Sequence, residues 1–526
     1  MNMTESNRTS QIFNEIRNLI DRGDYLSANQ SIQMAVKDLR LHEINAAPLM
    51  IEIGVGLNDI GIIEAAINIL KKWLGKIQDK RSQVIINYDL AKGFMDLYVQ
   101  HVKAKKLGVT AIPGNETLQT AKKYFRQAVN QIAFAEKSEQ PKILTDYGNC
   151  LDDLGRSLEA LKVYDEALEV APGFKMALGN KAIAIRRFAY VAGKFRTAIY
   201  IEAHQILKSI IDDPEIIKTG TMIANDRFKR EMNEIESIFP DKSVLNTDLR
   251  HKRYSDDGLS DFEKFYLNFC TKNNLFLHLH ILDNTCKAAI TDSVFISILE
   301  PKGENARFLE LSKIINQIKE DFMIGRLLLV ESLYRRDEYD RISERTTLVN
   351  AKDNLVFHIY AGLLKAAYRL TYNILDKIAG FINNYFGLEI DEGRVYFIKM
   401  WEHERKIKES LLNTKNISLY ALYDVYLDLK KDGYFERLKL IRNSLVHRKL
   451  ILYGGEKRSY DDDKDCDSIG WEAMVKRTIE MMYLIKSAII YMINCVQIEE
   501  MRKADKLKGA IITHIEPDTT QELENK

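Results

Sequence analysis

Proline interrupts this chain only eight times in 526 residues. Between those breaks run long stretches of Leu, Ile, Lys, Glu and Ala without clusters of turn-forming residues. Proline breaks a helix because it lacks the backbone N–H and clashes with the preceding turn, whereas most of the other residue types favour helices. The sequence therefore predicts an all-α fold. Its length predicts about two to four domains, because a single hydrophobic core rarely grows this large.

The charges of the chain are almost balanced, since 76 Lys and Arg residues oppose 75 Asp and Glu residues. No global field steers such a chain toward nucleic acid or an anionic membrane, so any nucleic-acid site must be local. The longest apolar run, residues 479–497, contains Glu480 and Lys486. We interpret it as a core helix, because a membrane span needs about 20 nearly uncharged residues.

The cysteines and the N-terminus predict a cytoplasmic protein with no membrane association. Five cysteines are scattered without CxxC or Cys/His ligand spacing, which argues against disulfides and structural zinc. The N-terminus lacks the basic, apolar and small-residue regions of a secretory signal. We expect no cofactor, because the sequence contains no P-loop, no GxGxxG after a strand, no HExxH and no GxSxG.

Residues 141–174, PKILTDYGNCLDDLGRSLEALKVYDEALEVAPGF, place small and aromatic residues at helical offsets. Small residues allow two helices to cross closely, an aromatic side chain fills the adjacent groove, and proline ends the second helix. Over its 34 positions this stretch resembles a tetratricopeptide (TPR) repeat. The residues that carry the resemblance are Gly148, Gly155, Ala160, Tyr164, Ala167 and Pro172.

Weaker copies of this pattern occur in residues 22–28, 54–70, 121–128 and 174–185. Three or more stacked helix pairs form a solenoid with a continuous core and a concave surface. We therefore predict a TPR solenoid over residues 1–200 whose concave surface binds a protein or peptide ligand. The alternative is that the repeats only cap and space the C-terminal part.

Residues 201–350 are predicted to form a helical middle region, with the strongest helical periodicity at 308–342. The segments NNLFLHLHILDN and SVFISILE within it are candidates for short strands. On a strand, His278 and His280 would share one face and could bind a metal. No further ligand follows at useful spacing, so we predict no metal site.

Residues 351–505 have the pattern of four long helices with aromatic-rich apolar faces, enough for a four-helix bundle. A charged tail is predicted at 506–526. The predicted helices span residues 353–387, 393–412, 416–450 with a break near Gly433, and 470–504. The buried stripe predicted for the third helix consists of Tyr434, Leu438, Ile441 and Leu445.

The stretch IRNSLVHR in the third helix places Arg442 and Asn443 shortly before His447. These residues match RNxxxH, a form of the Rx4-6H signature, and the domain resembles the HEPN superfamily (higher eukaryotes and prokaryotes nucleotide-binding). A bacterial group combines such a domain with TPR repeats. The resemblance implies a helical bundle and ribonuclease activity. The alternative is that Arg442 and His447 are a solvated pair on the flank of a helix.

Arginine and histidine can cleave RNA without a metal. Histidine can take or give a proton near neutral pH, and the arginine guanidinium matches phosphate oxygens. Five residues along a regular helix turn about 140°, so Arg442 and His447 of one chain do not converge. By resemblance, a homodimer supplies the paired cleft. Asn443 would orient His447 or hold a phosphate oxygen, and Arg448 and Lys449 would add RNA contacts.

Asp376 is a second supporting candidate by resemblance, because HEPN domains often bring an acidic residue from an earlier helix toward the site. Its alternative role is a surface ion pair with Lys377 or Arg369. An acidic run at 461–467 follows the motif and is most simply a solvated loop.

The combined interpretation is a regulated, metal-independent endoribonuclease that leaves 2′,3′-cyclic phosphate and 5′-OH ends. By resemblance it would serve as a toxin or antiphage-defence effector, with the TPR repeats as its sensor. The alternative is a non-catalytic scaffold or interaction protein in which the motif is a binding or dimer-contact feature.

Overall fold

The computed structural model describes residues 5–39, 41–106, 108–192, 196–249, 256–281, 286–301, 306–346, 355–454, 468–506 and 512–515. The chain divides into two compact units. The first comprises Met1–Ala184 and Ile206–Glu234, and the second comprises Ile185–Gln205 and Ile235–Lys526. Helices dominate both units, and the all-α prediction is confirmed.

The first unit is a stack of helices in which consecutive members pack against each other. The predicted N-terminal helical solenoid is therefore confirmed, while its assignment to the TPR family stays a prediction. The helices are α1 (Glu5–Asp21), α2 (Tyr25–Lys37), α3 (Glu43–Leu57), α4 (Ile60–Leu74), α5 (Lys80–Ala104), α6 (Glu116–Asn130), α7 (Gln140–Asp153) and α8 (Ser157–Val170). The unit boundaries fall within the next three, α9 (Lys175–Ala189), α10 (Arg196–Ile210) and α11 (Pro214–Ile238).

Side-chain caps and close helix crossings explain this stack locally. Asp59 and Asp79 accept backbone N–H bonds at the first turns of α4 and α5, which satisfies donors that a helix start leaves free. Gly148 on α7 lies directly against the Tyr164 ring on α8, and a Cβ at Gly148 would lie 2.5 Å from that ring. The glycine therefore sets how closely these two helices pack.

The second unit holds the remaining helices and short strands. Its helices are α12 (Asp261–Lys272), α13 (Ala306–Tyr334), α14 (Arg336–Ser343), α15 (Ile359–Phe386), α16 (Glu409–Leu412), α17 (Ile417–Leu429), α18 (Glu436–His447) and α19 (Trp471–Lys506). Its strands are β1 (Ile298–Pro301), β2 (Leu355–Val356), β3 (Glu402–His403), β4 (Lys406–Ile407), β5 (Ile451–Tyr453), β6 (Ser468–Gly470) and β7 (Ile512–Ile515).

The strands pair over long and short distances in the sequence. Strands β1 and β7 pair antiparallel, with Ile298 opposite Ile515. Strand β5 lies between antiparallel β2 and parallel β6. The predicted strand in SVFISILE is present only at its end, in β1. The described residues 273–281, which include His278 and His280, form no strand. Within the predicted tail, residues 512–515 form β7, and the acidic run at 461–467 lies outside the described residues.

The predicted four-helix bundle is confirmed, but one of its helices differs from the prediction. Helix α15 packs against α13, α18 and α19, and α17 packs on α19. The helix predicted at 393–412 is wrong. Its N-terminal part is largely irregular, Glu404 and Arg405 adopt left-handed φ angles in the turn between β3 and β4, and only α16 is α-helical. Phe397 and Trp401 are both buried and lie four residues apart, a spacing typical of one face of a helix, which explains the wrong prediction. Helix α13 supplies the missing member.

Helix α19 is the one described helix long and apolar enough to cross a membrane by length and composition. In its most apolar window, 83% of the residues are buried inside the protein. Its side chains contribute to the core of the bundle, as the sequence predicts for residues 479–497.

A buried ion pair fastens the segment before β1 to helix α13. Arg326 is 2% exposed and donates to both carboxylate oxygens of Asp292 at 2.9 and 2.6 Å. It also donates to the Leu275 carbonyl at 2.9 Å. His278 and His280 are buried in this segment, and burial holds the pKa of His278 well below its usual value. Within the described ranges, no three His, Cys, Asp or Glu side chains are grouped to hold a metal.

We predict that Gly148→Ala destabilises the first unit by about 1–3 kcal/mol, because the new methyl group overlaps Tyr164. Gly75→Ala is the matched control, since nothing lies within 4 Å of a Cβ at Gly75 and its φ of −71° suits alanine. Urea denaturation of both variants measures the difference. Equal midpoints for the two variants would contradict the close packing of α7 on α8.

Candidate active site

A tight turn between α17 and α18 fixes where the motif helix begins. Helix α17 ends at Leu429 and α18 starts at Glu436, which confirms the predicted break near Gly433. Phe435 N–H donates to the Asp428 carbonyl at 2.7 Å. A Cβ at Gly433 would lie 2.4 Å from the same carbonyl oxygen, so only glycine fits this position. The turn sends α18 back across the bundle.

One face of helix α15 receives α18 through three side chains spaced four residues apart. Tyr368, Tyr372 and Asp376 share this face because positions i, i+4 and i+8 lie on one side of a helix. Tyr368 is fully buried, and its hydroxyl donates to the Leu438 carbonyl at 2.7 Å. This bond ties the first turn of α18 to α15.

Arg442 lies half-buried over the second of these side chains. Its guanidinium carbon is 5.5 Å from the centre of the Tyr372 ring, a cation–π distance. One terminal nitrogen donates to the Asn443 side-chain oxygen at 3.3 Å. The Nε of Arg442 is buried and has no hydrogen-bond partner among the described residues. The guanidinium is therefore anchored by packing and keeps donor capacity.

Asp376 completes the surroundings of Arg442. Its Oδ1 accepts the Phe397 backbone N–H at 2.9 Å. Burial raises the pKa of Asp376, while the bond from Phe397 and the charge of Arg442 act in the opposite direction. The alternative pairing with Lys377 is not present, because Lys377 bonds to Asp321 at 2.6 Å. Asp376 therefore belongs to the neighbourhood of Arg442.

His447 is the last residue of α18 and lies apart from this cluster. Its side chain is exposed, and so are those of Arg448 and Lys449 that follow it. Arg448 N–H donates to the Ser444 carbonyl at 3.2 Å and ends the helix. Three residues after His447 the chain enters the buried stretch of Leu450 and strand β5. The imidazole is thus held between two anchored elements and faces solvent.

The predicted face pattern of α18 is partly wrong. Leu438 and Ile441 are buried, but Tyr434 is 47% exposed, and Ser444 is buried where the stripe continues. The structure brings together Arg442, Asn443 and Asp376 and leaves His447 outside. Tyr368 and Tyr372 also belong to the site, although neither was predicted from the sequence. Their spacing of four residues from each other and from Asp376 is the signal that could have found them.

Packed helices, with a half-buried arginine against α15 and a histidine at the end of α18, define a helical-bundle domain of the kind that the motif resemblance implied. The family model of the LA2681-like HEPN domain matches residues 304–499. The C-terminal region is therefore a HEPN-superfamily domain. The match begins at 304 and includes α13, whereas the bundle was predicted to begin at 351. No curated protein matches the chain.

HEPN domains are generally ribonucleases, and the family match supports a nuclease activity for this region at that coarse level. The residues of the candidate site lie on α15 and α18, within the matched range.

We predict that Tyr368→Phe loosens α18, because it removes the buried hydrogen bond to Leu438. The expected cost is about 0.5–1.5 kcal/mol, with faster hydrogen exchange in peptides covering 436–447. Tyr396→Phe is the control, since Tyr396 is 44% exposed. Equal exchange in both variants would show that this bond does not hold the motif helix.

Proposed function

We propose that this protein is a regulated, metal-independent endoribonuclease. One observation carries the proposal: in a HEPN domain, the Arg442 guanidinium is anchored against α15 while the His447 imidazole stands exposed at the end of the same helix. An anchored cation suits a phosphate, and an accessible imidazole suits proton transfer. The arrangement thus offers the two groups that RNA cleavage needs.

The reaction we propose is attack of the RNA 2′-oxygen on the adjacent phosphorus, which transfers the phosphoryl group from the 5′-oxygen to the 2′-oxygen. His447 takes the 2′-OH proton, and the 2′-oxygen attacks as the bond to the 5′-oxygen breaks. Arg442 stabilises the charge that builds on the phosphoryl oxygens, and His447 of a second copy protonates the departing oxygen. The products are a 2′,3′-cyclic phosphate and a 5′-OH end. DNA resists, because it lacks the 2′-OH nucleophile.

A homodimer is part of the proposal because one chain does not bring its own groups together. Arg442 faces α15, whereas His447 faces solvent, in keeping with about 140° of rotation over five helical residues. A second copy facing the first would pair the motifs in one cleft. Asn443 would then hold or orient a neighbouring group, and Arg448 and Lys449 would contact flanking phosphates.

Regulation by the N-terminal solenoid completes the proposal. An unrestrained ribonuclease in the cytoplasm would degrade the RNA of its own cell. We therefore propose that the solenoid senses a protein or peptide and controls cleavage, as in a toxin or antiphage-defence effector. Its stacked helix pairs provide an extended concave surface for such a ligand.

The second candidate function is a non-catalytic scaffold. Packing of Arg442 on Tyr372 favours it, because a half-buried arginine on an aromatic ring also stabilises a fold. His447 discriminates between the two functions, since its exposed ring makes no hydrogen bond among the described residues.

Purified protein is expected to cleave RNA in the presence of EDTA, and Arg442→Ala or His447→Ala should each lower the rate at least about 100-fold. His403→Ala is the matched control, because His403 is an exposed histidine on β3 outside the motif. Cleavage is measured on end-labelled RNA, and the ends are identified by phosphatase and kinase treatment.

Cleavage that persists in both motif variants would point to a contaminating ribonuclease and would favour the non-catalytic scaffold. If wild type is inactive in vitro, toxicity on expression is compared instead. Relief by His447→Ala but not by His403→Ala supports the enzyme, and equal toxicity of all three proteins contradicts it.

Mixed dimers test the composite cleft separately. A dimer of one Arg442→Ala chain and one His447→Ala chain keeps one guanidinium and one imidazole, so it loses only the second imidazole and the second guanidinium. A dimer of either variant alone lacks every guanidinium or every imidazole. We expect purified two-tag mixed dimers to cleave RNA faster than either variant alone. Mixed dimers as inactive as the single variants would contradict a shared cleft.

A further inference from the structure

A concave groove in the first unit is formed by the first helices of successive helix pairs. Two adjoining cavities, of about 210 and 950 Å³, share Pro48, Ile85, Asp89 and Glu139 in their walls. These residues belong to α3, α5 and the start of α7. The groove therefore crosses several repeats, as a site for an extended ligand would.

The larger cavity has an apolar wall. Aliphatic and aromatic side chains line it, mainly from the first helices and the turns between them, and they are Phe13, Leu41, Ile44, Leu70, Ile77 and Ile85. This apolar wall can bind aliphatic side chains of a ligand, because contact with it removes their surface from water.

Most ionic groups in the groove walls already have partners within the solenoid. Arg17 is paired with Glu52. Arg81 contacts Glu139 at 3.8 Å and bonds to Glu136 at 2.7 Å. Within each of these pairs the opposite charges balance, so these groups do not require a charged ligand.

Asp89 differs from them because it lines both cavities and forms no ion pair within the described part of the chain. Its carboxylate has no hydrogen bond among those residues either. Burial raises the pKa of Asp89 to about 7. Asp96, two turns further along α5, also has its pKa raised by burial, to about 6. Negative charge on this face is costly, and a cation would relieve the cost.

The charges of Lys92 and Lys142 lower the pKa of Asp89 in part, but neither lysine forms an ion pair with it within the described part of the chain. Burial lowers the pKa of Lys92, but surrounding carboxylates outweigh burial and raise it overall. Lys92 is therefore already shared among the carboxylates of Glu52, Asp89, Asp96 and Asp146. Lys142 has its ammonium 5.9 Å from the Tyr88 ring centre and is exposed.

We propose that this groove binds an extended peptide segment whose basic side chain pairs with Asp89 while neighbouring aliphatic side chains pack on the apolar wall. This deepens the proposed sensing role by giving its ligand a chemical class. It does not depend on RNA cleavage, because binding is measured on the intact chain without RNA.

Binding should be linked to proton release. A bound cation favours the ionised form of Asp89. Where the free protein holds a proton on Asp89, binding must release it, and part of the binding free energy is used for that release. Affinity should therefore rise about tenfold from pH 6 to pH 8 for an arginine peptide with blocked ends. The charged groups facing Asp89 are Glu52, Lys92, Glu139 and Lys142.

The test is selection from four libraries of end-blocked dodecapeptides with Arg, Lys, Gln or Glu fixed at the centre and random flanks. The bait is the full chain, as wild type, Asp89→Asn or Asp165→Asn. Asp165 is the matched control, because it pairs with Lys181 on α9 at 2.5 Å and lines neither cavity. Wild type and Asp165→Asn should enrich basic centres with aliphatic flanks, and Asp89→Asn should lose that enrichment about tenfold or more.

The folded state of Asp89→Asn is checked by urea denaturation. The pKa of Asp89 is raised on folding, so its neutral form is favoured, and the stability this gives is lost as pH rises through about 7. Asn avoids this loss, and the variant should be at least as stable as wild type at pH 8. A variant that is folded but still enriches basic peptides would overturn the proposal.

Other occupants have their own outcomes. No enrichment by wild type, or enrichment of acidic or Gln-centred peptides, would overturn the assignment of a basic peptide. If spermidine binds as tightly as the enriched peptides, the ligand class is a free polyamine and the peptide assignment is overturned. Self-association that disappears in Asp89→Asn would identify a second copy of the chain as the ligand.

Discussion

The packing of helix α18 against one face of α15 is the interaction on which the candidate site depends. Tyr368 holds the first turn of α18, Tyr372 lies under Arg442, and Asp376 balances the arginine charge from the next turn. All three follow from a spacing of four residues on one helix. The Gly433 turn makes the packing geometrically possible, because it lets the chain reverse tightly after α17.

The same packing separates the two groups that the chemistry needs. Arg442 is drawn toward the bundle, and the helix twist carries His447 to solvent at the point where α18 ends. A preorganised cation costs little to present to a phosphate, because its side chain is already fixed. The imidazole must then be brought to it, and a second copy of the domain is the proposed source. The solenoid would act on this step by favouring or preventing the paired arrangement.

Local patterns predicted much of this molecule, and long-range pairings did not follow from them. The helical periodicity of α15, α17, α18 and α19 and the break at Gly433 were readable because each depends on neighbouring residues. The helix predicted at 393–412 was wrong, since Phe397 and Trp401 reach the core from a largely irregular chain. The pairing of Ile298 with Ile515 joins distant parts of the sequence, which no local pattern reports. Arg442, Asn443 and Asp376 were named from a family resemblance, whereas Tyr372 required the contact itself.

Pulsed EPR spectroscopy measures whether two copies of the protein bring their motif helices together. A nitroxide is attached at Val446→Cys, beside His447, where the native side chain is 42% exposed. Cys466 is replaced by serine, and the other four cysteines are buried. If the motif helices pair, we expect a single short distance between labels on two chains, unchanged by EDTA. A protein without intermolecular coupling, or with labels held far apart in a stable dimer, would contradict it.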